Sequence, residues 1–111
     1  MAKQIDIGSP FRDIYAKDPR YAVKAYMLLF RVLQDAATAE RSSTLSGANI
    51  LKRVVEEAKN YFGPFTSFVL KEWGILGAED LGEMIVNLDN AGYLNFMNTR
   101  KLSFAGLKLD L

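Results

Sequence analysis

Glu79, Asp80 and Glu83 are the residues whose types and spacing come nearest to a reactive cluster, with Glu79 and Glu83 one helical turn apart. Carboxylates at that spacing can share a hard cation such as Mg²⁺ or Ca²⁺, so this pair is the one candidate metal site. No Asp-x-Asp-x-Asp-Gly loop accompanies it, and acidic residues in a first turn also complement the positive end of a helix, by roughly 0.3–1 kcal/mol each. The second account outweighs the first, and no metal or cofactor is assigned. Arg20 and Tyr21 follow Asp18-Pro19; the guanidinium fork could hold an anion, or pair with a carboxylate and lock two helices together, which is the favoured role. Trp73, the single tryptophan, could plug the core or anchor a partner. Its helical spacing with Phe65 and Phe68 favours the core.

Much of the usual catalytic equipment is missing, because the 111 residues include neither histidine nor cysteine. There is no imidazole for neutral-pH proton transfer, no thiolate nucleophile, no disulfide, and no zinc site of the Cys/His kind. Thr66 and Ser67 lie in no Gly-x-Ser-x-Gly elbow, and the glycines form no phosphate-binding fingerprint. The expectation is a protein without catalysis; a carboxylate-dependent metal enzyme stays a third reading.

The length suits one domain, 1–111, and 50% apolar with 24% charged residues is the mix of a globular chain. A net charge of +1 gives little long-range pull on a polyanion or an anionic bilayer. No stretch approaches the about 20 apolar residues of a membrane span, and no secretory signal opens the chain, so a cytoplasmic protein is expected.

Five helices and a C-terminal β-hairpin are the elements that would position these residues. Ser9-Pro10 opens the first helix, to about Lys17 with Phe11, Ile14 and Tyr15, and Asp18-Pro19 reads as cap and first residue of the second. Along that helix Val23, Tyr26, Met27, Phe30 and Leu33 recur at helical spacing, before the longest loop over residues 36–44. Ser46 caps the third helix, with Ile50, Leu51, Val54, Val55, Ala58, Tyr61 and Phe62 on one face and Gly63-Pro64 at its end. Pro64 opens a fourth helix with Phe65, Phe68, Val69 and Trp73 on one side. Leu81, Met84, Ile85 and Leu88 mark the fifth, in which Gly82 points to close packing. Alternation of Leu94 with Phe96 and of Leu102 with Phe104, around Asn98-Thr99-Arg100, predicts the hairpin. The class is therefore mostly α (α+β): a helical half over about 9–41, and a half over about 46–111 that is winged-helix-like in its element order.

Several short motifs, taken together, resemble a bacterial family of small proteins without assigned function. They are Asp18-Pro19-Arg20-Tyr21, Leu45-Ser46-Gly47, Tyr61-Phe62-Gly63-Pro64, Glu72-Trp73-Gly74-Ile75 and the Glu79–Leu88 segment. The family is marked by DPRY, FG, EWGI and (D)FGEIVFNL-type signatures, and the resemblance runs from about Phe11 to Leu94. Leu45 stands where that family has a histidine, Leu81 replaces an aromatic, and the apolar Leu102–Leu111 tail replaces an acidic one. The resemblance implies a fold more than a function, and any histidine chemistry of the family would be absent here.

A DNA-reading fifth helix should carry cations, yet residues 78–99 contain Glu79, Asp80, Glu83 and Asp89 and no basic residue. Arg100 and Lys101, with Lys108, could reach a backbone only weakly. Nucleic acid is thus the alternative, and a protein partner or self-association the leading expectation. Basic residues such as Lys52, Arg53 or Lys59 could match the acidic helix. The alternating Phe104, Leu107, Leu109 and Leu111 are either a strand that extends a sheet in another copy or a last strand packed on its own core. The expected function is an interaction or regulatory module, with Arg20, Tyr21, Trp73, Arg100, Lys101, Leu109 and Leu111 as candidate contacts.

Overall fold

The computed structural model describes residues 9–39 and 45–109. Helices α1 (Ser9–Lys17), α2 (Val23–Ala39), α3 (Gly47–Phe62) and α5 (Ala78–Asn90) carry the core, with a short α4 (Thr66–Glu72) between the last two. The periodicity that predicts these helices also fills one continuous core: Tyr26, Leu29 and Leu33 from α2, Ile50 and Val54 from α3, and Leu81, Met84 and Leu88 from α5 are almost fully enclosed. Burial of each such side chain favours folding by roughly 1.5–3 kcal/mol.

Two of the expected boundaries hold at α3. Ser46 has extended backbone and accepts the Asn49 N–H at 3.1 Å, and Gly63, at φ +51°, receives the end of the helix and returns its own N–H to the Lys59 carbonyl. Ser9 is the first described residue of α1 and its side chain lies outside the described residues, as do residues 40–44 of the loop expected over 36–44, although α2 continues to Ala39.

The second helix starts later than its Asp-Pro signal predicts. Asp18 does not cap it, because the Arg20 backbone N–H and guanidinium both donate to the Asp18 carboxylate and fold residues 18–20 into a turn. Tyr21 then enters the core, and Ala22 gives its N–H to the Trp73 carbonyl before its own carbonyl starts α2.

The predicted five helices followed by a β-hairpin are corrected to four core helices with a short connector and no strand among the described residues. The fourth helix shrinks to a 3₁₀ turn, Gly63–Phe65, running into the seven-residue α4. Its orientation differs too: Thr66 and Leu70 face the bundle, and the Thr66 hydroxyl donates to the Gly63 carbonyl at 2.7 Å and the Ala58 carbonyl at 3.4 Å. Phe65 and Phe68, expected in the core, face outward.

Beyond α5 the chain makes successive tight turns, Leu94 to Met97, Thr99 to Leu102 and Phe104 to Leu107, each closed by a local backbone hydrogen bond. Those bonds occupy amides that a strand ladder would need, and the Asn98 side chain accepts the Arg100 N–H to tighten the 3₁₀ turn Thr99–Lys101. With no hairpin there is no wing, so the C-terminal half is not winged-helix-like. The alternation reflects an irregular strap that drops Leu94 and Phe104 into the helical layer. Phe104 packs over Gly82, and the Ser103 carbonyl lies against Gly47 so closely that a Cβ at 47 would overlap it. Phe11 from α1 stacks among Tyr26, Phe30 and Tyr93, which fixes the first helix to the strap's beginning.

No described helix is long and apolar enough to cross a membrane.

Candidate interaction groove

Arg20, Tyr21, Asp80 and Glu83 converge on the α1–α2 turn, where they serve the fold. Arg20 holds Asp18 through two contacts of 2.8 and 2.6 Å and reaches Glu83 of α5 at 3.4 Å. Asn87, one turn beyond Glu83, donates to both Asp18 (3.0 Å) and the Tyr26 hydroxyl (2.9 Å). The Arg20 hydrogen bonds hold the Asp18 carboxyl far below the usual carboxylate range, against the opposing effect of burial, and Asn87 adds to the lowering. Tyr21 is 1% exposed and donates to Asp80 at 2.5 Å, while the Arg20 guanidinium stands 5.1 Å from its ring centroid. Burial, then the hydrogen bond to Asp80, raise the Tyr21 phenol well above its ordinary value.

Asp80 also accepts the Leu76 and Gly77 amides at 2.8 and 3.0 Å, so it caps the start of α5. Glu83 turns to Arg20, and Glu79 is exposed beside Gly77. The three carboxylates therefore diverge, and the described residues contain no group of three or more potential ligands able to hold a metal ion. Arg20 is brought together with Glu83 and Tyr21 with Asp80, each through its side chain.

The remaining candidates scatter. Arg100 is exposed on the strap, the Lys101 side chain and Leu111 lie outside the described residues, and Leu109 is half-buried against the core with Leu107. Lys52 and Arg53 of α3 share a small pocket with Glu56, so no uniform basic face forms there.

A different surface stands out at the corner of α2, α3 and α4. There a groove of about 590 Å³ opens to solvent. One wall is the α2 stripe of Lys24, Met27, Leu28 and Arg31; the other is Tyr61 and Phe62 from the end of α3 with Val69 and Trp73 from the α4 segment. Trp73 is half-buried and meets Phe62 edge-on at 5.4 Å, so it is a groove wall instead of the core plug expected from its spacing. Its carbonyl and Gly74 are pinned to the Ala22 and Arg20 backbone, which fixes the wall in place.

The rim is basic. Arg31 donates to the Tyr61 hydroxyl at 2.5 Å and meets Glu57 only at 3.9 Å, and Lys24 makes no ion pair among the described residues. On the segment that supplies Val69 and Trp73, Phe65 and Phe68 are 67% and 63% exposed, and Tyr61 of the groove itself is 55% exposed. Lone exposed apolar residues are ordinary, whereas several exposed aromatics on one short segment are not. Sequence spacing names Phe65, Phe68 and Trp73 but assigns them inward; the signal that could have reversed them is Thr66, whose hydroxyl can satisfy itself locally inside the corner.

Comparison of the chain with protein-family models, with curated proteins and with solved structures finds no match.

Proposed function

We propose that this chain is a non-catalytic protein-interaction module that docks a partner through the α2–α3–α4 groove and the aromatic ridge beside it. The observation that carries this reading is the outward placement of Phe65 and Phe68 on the same short segment that supplies Val69 and Trp73 to the groove. Aromatic anchors beside a half-open apolar groove are where interfaces concentrate their binding energy, since each supplies large area at low conformational cost. The groove offers two cations and a phenol, with no carboxylate or imidazole to move a proton at neutral pH, which suits recognition better than turnover. Kinship to the bacterial family, a cytoplasmic setting and a regulatory role belong to the same proposal.

A photo-cross-linking phenylalanine analogue at position 68, introduced in the native cell, tests it, with the same analogue at exposed Lys59 as control. The expected result is a discrete adduct with another protein from position 68, absent from position 59 and lost when Phe65→Ser is added. Equal adducts from both positions, or none from position 68, would remove the groove from any interaction role.

A further inference from the structure

Within the docking reading above, on which this inference rests, the charge and spacing of the groove define its occupant. Lys24 and Arg31 lie seven residues apart on α2, about two turns or roughly 10 Å along the axis. Met27 and Leu28 fill the interval between them. The wall therefore reads cation, apolar pair, cation, with Trp73 facing it across the groove. Arg31 gives one N–H to the neutral Tyr61 hydroxyl and meets Glu57 only at 3.9 Å, and no acidic side chain lines the groove, so neither rim charge is neutralised within it.

We infer that the groove receives an amphipathic helix from a partner protein, with acidic residues two turns apart flanking an apolar pair. Such a helix places carboxylates at i and i+7 opposite Lys24 and Arg31, and apolar residues at i+3 and i+4 over Met27 and Leu28. Apolar contact with Trp73 and Phe62 supplies affinity, and the two ion pairs set orientation and reject basic helices.

Because Trp73 is the single tryptophan and lines the groove, its emission reports occupancy directly. The probe is a stapled helical peptide of about four turns that lacks tryptophan, with Glu at i and i+7 and Leu at i+3 and i+4. A second peptide carries Lys, and a third Gln, at the two Glu positions. The expected result is a saturable change in Trp73 emission with the Glu peptide, at least ~10-fold weaker with the Lys peptide. Lys24→Glu with Arg31→Glu should reverse that order; both sites are exposed, so the variant keeps the fold. If all three peptides bind equally, the acidic partner is wrong while docking at the groove stands. If none perturbs Trp73, the helix-in-groove inference falls, and the cross-linking at position 68 decides separately whether the surface docks proteins by another mode.

Discussion

Gly74 backs directly onto the carbonyl oxygen of Arg20: a Cβ built at position 74 would overlap that oxygen, and the glycine holds φ at +93°. The contact joins the Asp-Pro-Arg-Tyr turn to the Glu-Trp-Gly-Ile segment, two sequence motifs that otherwise have no visible reason to occur together. Gly74→Ala should therefore be among the costliest single substitutions, on the order of 3 kcal/mol, since it adds a positive-φ penalty to a backbone overlap. Urea denaturation would show a lower midpoint, and an unchanged midpoint would mean the turn is not held against Trp73.

Gly82 should behave in the opposite way. A methyl group there would meet the Phe104 ring at 3.4 Å, an ordinary contact, and the residue lies inside α5. Gly82→Ala removes backbone freedom from the unfolded chain without a clash, and should stabilise by about 0.5–1 kcal/mol. The same denaturation series measures both glycines.

Two groups give the protein opposite pH limits. Asp18 has a folded-state pKa depressed chiefly by the Arg20 hydrogen bonds, so its contribution is complete above the unfolded value of about 4 and is lost as pH falls below it. Tyr21 is raised by burial and by Asp80, so its contribution is complete below about pH 10 and is lost as pH rises beyond. Asp18→Asn should lower neutral stability by about 1 kcal/mol, the pair being partly solvated, and flatten the acid limb. Tyr21→Phe should make only the alkaline limb shallower, the remainder coming from Tyr26 and Tyr93, which burial also raises. Denaturant midpoints measured from pH 2 to 11 would separate the two.

The strap should prove structural. Phe104 is 5% exposed between α3 and α5, so Phe104→Ala should cost about 3 kcal/mol, whereas Phe65→Ser and Phe68→Ser should change stability by less than about 0.5 kcal/mol. Thermal unfolding of the three variants tests this ranking. Loss of the fold on changing Phe65 or Phe68 would mean these rings are covered in the native protein.

The cap at Ser46, the Gly63 stop and the inward faces of α2 and α5 are readable from the sequence because each depends on neighbours within one or two turns. What is not readable depends on distant partners. Asp18 carries a cap signal, but a nearby guanidinium and Asn87, 69 residues on, claim its oxygens. Leu94, Phe96, Leu102 and Phe104 alternate as a hairpin would, yet the strap buries only Leu94 and Phe104 fully and leaves Phe96 exposed, without any ladder. The groove is hidden for a related reason: in so short a segment as α4, helical spacing fixes which residues share a side and leaves open which side meets the bundle. The buried hydroxyl of Thr66 is invisible to a hydrophobic pattern.

That hydroxyl has a kinetic consequence. Thr66 ties α4 to the carbonyls of Ala58 and Gly63, so under the docking proposal the aromatic wall is already held in place before any partner arrives. The ordering cost of binding then falls almost wholly on the incoming segment. Partners that are already helical in isolation should associate faster than unfolded ones of equal final affinity, and the rate should track the partner's own helicity instead of any opening motion of this chain.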